Sequence, residues 1–88
     1  MIKGITGCGF EFAVEKANME NMEMLELLAA NEAGNPMIYP KLTEMILGVE
    51  QKRMLYDHLR DEKGRVSVQK VIAAVDDVFR AFGESGKN

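Results

Sequence analysis

The sequence predicts an α+β domain, mainly α, with an N-terminal β-strand or hairpin followed by about four helices. Three observations lead there. Residues 10–14, Phe-Glu-Phe-Ala-Val, alternate apolar and charged with period two directly after the turn formers Gly7-Cys8-Gly9. Most of the remaining chain repeats apolar residues at steps of three and four. Glycine and proline at Gly34-Asn35-Pro36, Gly48 and Gly64 cut that helical pattern into separate pieces. A length of 88 residues allows one small core. We read 1–83 as a single domain, and the small polar ending 84–88 as a flexible tail.

Ile2 and Ile5 precede the glycine turn and suit a first strand pairing with the second. A lone hairpin is marginal in water, and its edges offer unpaired backbone groups to another strand. Asn21 is placed to cap a helix from Met22 to about Asn31, with Asn18 as the rival cap and Glu23 favourably near the helix N-terminus. Met22, Met24, Leu25, Leu27, Leu28 and Ala29 leave that helix only a narrow polar strip of Glu23, Glu26 and Ala30. A second helix starts near Tyr39-Pro40, presents Leu42, Met45 and Ile46, and stops at Gly48.

A third helix runs from about Val49 to Arg60 with Leu55, Tyr56 and Leu59 on its apolar face. Glu50 with Arg53, and Asp57 with Arg60, can pair at three-residue spacing. The break at 61–65 is expected to put Gly64 in a left-handed conformation, and Ser67 caps the long last helix. There Val68, Val71, Ile72, Val75, Val78, Phe79 and Phe82 form one stripe opposite Gln69, Lys70, Asp76, Asp77 and Arg80. The expected core is Phe12, Leu25, Leu28, Leu42, Ile46, Leu55, Leu59, Val71, Ile72, Val75 and Phe79.

Net charge is −3, split unevenly. Residues 1–35 hold six acids and two bases, net −4, and residues 36–88 hold eight acids and nine bases, net +1. Bases interleaved with acids do not make the basic face that phosphate binding needs, which argues against a nucleic-acid partner. No stretch reads as a membrane span or secretory signal, and the single Cys8 cannot form an internal disulfide, so a cytoplasmic protein without membrane contact is expected. Cys8 reads as a turn residue, because no histidine or cation lies near it in sequence to make it reactive.

Chemistry-bearing patterns are weak. If Gly64 is set at the sixth position of a calcium loop, Leu59 falls at the first, Lys63 at the fifth and Lys70 at the twelfth, so the bidentate glutamate is missing and no metal is expected. His58 is the only histidine, on a charged helical face, and reads as a surface residue without the second group that acid–base catalysis needs. No phosphate loop, nucleophile elbow or cysteine–histidine pair occurs. Neither catalytic residues nor a cofactor are expected. A helix-turn-helix reading of 55–82 stays a lesser alternative, weakened by Asp76, Asp77 and the few polar groups able to read bases.

Seven methionines are many for this length, and Met19, Met22 and Met24 surround the start of the first helix. Methionine adapts to irregular surfaces and is over-used at binding faces, although it also fills cores. Candidate residues for client binding or self-association are therefore Phe10 and Phe12 on the strand and Met19, Met22, Met24 and Leu27 around the helix. Asn21, Gly48, Gly64 and Ser67 are the candidate turn and cap residues.

In order along the chain stand the Phe10-Glu11-Phe12 strand, the Met24-Leu25-Glu26-Leu27-Leu28 helix, Leu47-Gly48 with Gln51, residues 55–60 (Leu-Tyr-Asp-His-Leu-Arg), Gly64-Arg65-Val66 and the Gly86-Lys87-Asn88 ending. This order resembles the small tail assembly chaperones of long-tailed, siphovirus-type bacteriophages and prophages of Gram-positive bacteria. The resemblance spans roughly residues 10–88 and rests on helix punctuation and core positions rather than on catalytic signatures. It implies a protein of virion morphogenesis that binds the helical tape measure protein, keeps it soluble and helps bring tail tube subunits to it. It also implies a homo-oligomer, often a second, frameshifted form, and absence from the finished particle. An acidic, methionine-rich domain with more apolar helical surface than one core absorbs suits helix-in-groove contact with such a client. The competing readings are a small helical adaptor or regulatory module and, behind it, a DNA-binding regulator.

Overall fold

Strands β1 (Ile2–Ile5) and β2 (Glu11–Val14) pair antiparallel, with Ile2 opposite Val14 and Ile5 opposite Glu11. The structure is a computed structural model and describes residues 1–30 and 35–85. Period-two alternation sends Ile2, Phe12 and Val14 into the core and leaves Lys3, Ile5 and Glu11 outside. The connecting turn needs Gly9 at φ 88°, and the buried Thr6 closes it by accepting the Phe10 N–H on its hydroxyl at 3.2 Å. Cys8 lies in this turn, as expected, and is exposed.

Four helices follow: α1 (Lys16–Met19), α2 (Met22–Ala29), α3 (Tyr39–Leu59) and α4 (Val68–Ser85), with a 3-10 turn at Pro36–Ile38 leading into α3. The single turn α1 was not expected from the sequence. Asn21 caps α2 by accepting the Glu23 N–H at 2.9 Å, while its rival Asn18 turns its amide to the Ile46 carbonyl of α3 at 3.1 Å. Gly48 breaks α3 as expected, at φ 83° and ψ 165°, and the chain resumes its helix at once, as a third helix from about Val49 requires. The two carbonyls just before the break accept side-chain donors, Ile46 from Asn18 and Leu47 from Gln51. This answers the loss of helical hydrogen bonding there.

The link from α3 to α4 is a closed turn. Gly64 sits at φ 81°, Asp61 N–H donates to the Arg65 carbonyl at 2.9 Å, and the Asp61 carboxylate accepts the N–H groups of Lys63 and Arg65, each at 2.9 Å. Ser67 caps α4 through a long hydroxyl contact of 3.4 Å with the Lys70 N–H. The expected ion pairs form on the outer face, Arg53 with Glu50 and Arg60 with Asp57.

One core joins the hairpin to α3 and α4, with Leu42, Ile46, Leu55, Val14, Val75 and Val78 almost wholly enclosed. It differs from the expected core in particular places. Leu25 is 50% exposed, because α2 meets α3 through Met24, Leu27 and Leu28 and the neighbouring 22–25 stripe falls on the solvent side. On α4 the contact line runs through Val71, Ala74, Val75 and Val78, so Ile72 and Phe79 flank it half-buried and Val68 stays 55% exposed. The helix continues to Ser85, so Glu84 and Ser85 belong to its last turn rather than to a tail. The rest of the expected tail, 86–88, lies outside the described residues, as do Asn31 and Gly34, expected at the end of the first long helix. No described helix is long and apolar enough to cross a membrane.

Candidate interaction site

A cleft of about 220 Å³ opens where the start of α3 meets the start of α4. Pro36 and Met37 of the 3-10 turn form one wall, Tyr39 and Pro40 the entry of α3, Tyr56 the far side, and Val66, Val68 and Val71 the opposite wall. Local sequence dictates each wall. Asn35 accepts the Met37 N–H on its side chain at 3.0 Å and starts the turn, and the prolines remove N–H groups where a helix start has no partner for them. The tight Asp61–Arg65 turn brings Val66 and Val68 back against α3.

The lining is nearly all apolar. Two of the lining residues are tyrosines, and both hold their protons more firmly than an ordinary tyrosine. For Tyr39 the causes are burial, then the charge of Asp76 and a hydrogen bond to it; for Tyr56 the cause is burial. The Lys52 ammonium lies 5.7 Å from the Tyr56 ring centre and 3.6 Å from Glu44. The space is smaller than the roughly 300–1,000 Å³ of small-molecule sites. It suits one or two aliphatic or aromatic side chains presented by a partner. Met37, 78% exposed, and Val68, 55% exposed, stand at the rim and are the apolar groups a partner would cover.

Of the candidate contact residues read from the sequence, Phe10, Phe12, Met19 and Met24 are all buried in the chain's own core and offer no free surface. Their apolar character answers to internal packing. Met22 is 65% exposed and Leu27 half-buried, and neither lines the cleft. Asn21, Gly48, Gly64 and Ser67 occupy the cap and turn positions expected of them. Met37 and Val68 were not singled out as contact residues. The available signal was a methionine between Pro36 and Ile38, where a turn leaves a long apolar side chain no helix face to join.

His58 packs against the hairpin turn. Its Nε2 lies 2.9 Å from the Cys8 carbonyl oxygen and its ring centre 5.9 Å from that of Phe10. The Cys8 sulfur meets the Thr6 hydroxyl at 3.0 Å. Among the described residues no three His, Cys, Asp or Glu side chains converge as a metal set would. No protein family, curated protein or solved structure matches the chain.

Proposed function

We propose that this chain is a non-enzymatic tail assembly chaperone of a long-tailed bacteriophage or prophage. In this reading it works in the bacterial cytoplasm, binds the tape measure protein, keeps it soluble and helps recruit tail tube subunits. The observation that carries the proposal is the apolar cleft between the starts of α3 and α4, with Met37 and Val68 exposed at its rim. A tape measure protein is a long helix with regularly spaced apolar residues, and such a helix docks by inserting a few anchors into a groove of this kind. Methionine at the rim supports adaptation to successive, non-identical segments of one long client.

Co-expression tests the reading. A tape measure fragment that aggregates alone should remain in the soluble fraction with the wild-type chain. It should return to the pellet with the double variant Met37→Glu, Val68→Glu, which changes only exposed positions. A fragment equally insoluble with and without the wild-type chain contradicts the reading.

A further inference from the structure

The seven methionines fall into different environments. Met19 and Met24 are buried in the core and Met45 is half-buried, whereas Met1, Met22, Met37 and Met54 are exposed. Of the exposed four, Met37 is the most open to solvent, at 78%, and it is the one that lines the apolar cleft. Its position follows from the turn that carries it. The Asn35 side chain accepts the Met37 N–H at 3.0 Å, and Pro36 fixes the backbone angle at the start of the Pro36–Ile38 turn. The backbone is thus held while the side chain stands outside the core cluster. A thioether open to water therefore sits at the rim of a site whose lining is apolar.

We propose that Met37 is a site of reversible oxidation that turns docking at the cleft off. The inference rests on the client reading, because it needs an apolar anchor seated beside Met37. A peroxide is the oxidant. The thioether sulfur attacks one peroxide oxygen, the O–O bond breaks, and that oxygen stays on sulfur while the other leaves as water. Sulfur gives up two electrons and the peroxide takes them. The product is a sulfoxide, a polar group whose oxygen accepts hydrogen bonds from water in the free chain. An aliphatic or aromatic anchor displaces that water and offers no donor in its place, so binding weakens. The fold is spared. Met37 supports no core packing, and Met19 and Met24, whose oxidation would disrupt the core, are shielded while the chain is folded. The exposure that admits peroxide also admits a sulfoxide reductase, which makes the change reversible. Leucine at this position would present a similar apolar surface and would not undergo this chemistry.

The test uses the full chain carrying Cys8→Ser, so that the exposed thiol does not consume oxidant. After treatment with hydrogen peroxide and its removal, peptide mapping by mass spectrometry should find sulfoxide at Met37, with Met1, Met22 and Met54, and none at Met19 or Met24. The helical circular dichroism spectrum should be unchanged. Titration with a methionine-free synthetic helical segment of a tape measure protein should then give a Kd raised about tenfold relative to the untreated chain. Adding Met37→Leu should keep the Kd constant through the same treatment, which assigns the loss to Met37 and not to the other exposed methionines. A methionine sulfoxide reductase with a dithiol should restore the untreated value. Equal binding before and after oxidation, or an equal loss in the Met37→Leu chain, would overturn this inference and leave the client reading standing. An untreated chain that binds no segment would overturn the client reading, and this inference with it.

Discussion

Leu42 and Leu25 show how much a single position decides. Leu42 is 0% exposed at the centre of the core, and Leu25 is 50% exposed on α2. Leu42→Ala should cost about 2–5 kcal/mol through lost burial and a cavity, and Leu25→Ala less than about 0.5 kcal/mol, both measured by denaturant unfolding. Equal losses would mean that Leu25 is covered, for example by a partner. The distinction was not legible in the sequence, because a helix apolar on most sides does not say which side it turns inward. Where one face was clearly polar, as around Leu55 and Leu59, the expected burial and the observed burial agree.

Asp61 carries a second prediction at this scale. The backbone N–H of Arg65, foremost, with further help from Lys63 N–H, the Arg65 side chain and the charge of Lys70, outweighs desolvation and lowers its pKa below the ordinary 3.8. A carboxylate lowered on folding adds stability that is fully present above its unfolded value and disappears as pH falls through the folded one. The stability difference between wild type and Asp61→Asn should therefore stay constant from about pH 6 down to about pH 5 and shrink below about pH 4. A difference that persists unchanged to about pH 2 would place the effect in something other than the charge.

Among the elements, α3 depends most on a backbone feature. The φ and ψ of Gly48, 83° and 165°, lie where side chains are strained, although a Cβ there would meet nothing within 4 Å. Gly48→Ala should thus cost about 1–3 kcal/mol from the backbone alone, read as a lower unfolding midpoint; no change would mean that the break is not held. The glycine made the break legible in advance. The restart at about Val49 was legible too; the side chains of Asn18 and Gln51 that take up the freed carbonyls were not, being distant in sequence or on the far side of the break.

Gln51 serves the hairpin as well. Its amide bonds both backbone groups of Ala13 across 38 positions of sequence, a contact that no local pattern announces. Gln51→Ala leaves those half-buried groups without their partner and should cost about 1–3 kcal/mol. The Ala13 amide should exchange with solvent faster in the variant. Equal exchange in both proteins would show that β2 is not capped in this way.

Across the whole molecule, sequence patterning specified the order of hairpin and helices. It did not reveal the apolar cleft, which is assembled from the turn at 36–38, Tyr39, Pro40 and Tyr56 of α3, and Val66, Val68 and Val71 around the start of α4. Chain folding brings these together, and each fragment alone reads as a turn or a helix end. Of the apolar surplus that the first long helix suggested, Met24 goes into the core and Leu27 and Leu28 are half-buried, while Met22 and Leu25 stay exposed there, as Met37, Met54 and Val68 do elsewhere. A chaperone reading that rests on an enclosed apolar site moves the contact from the strand, which is buried, to the α3–α4 cleft.

The most direct test of that claim is a titration of the isotopically labelled chain with a synthetic helical segment of a tape measure protein, followed by amide and methyl chemical shifts. The account predicts the largest changes at Met37, Tyr39, Tyr56, Val66, Val68 and Val71, and their loss in the Met37→Glu, Val68→Glu variant. Saturable binding whose shifts cluster on α2 or on the hairpin, with the cleft unchanged, would contradict it.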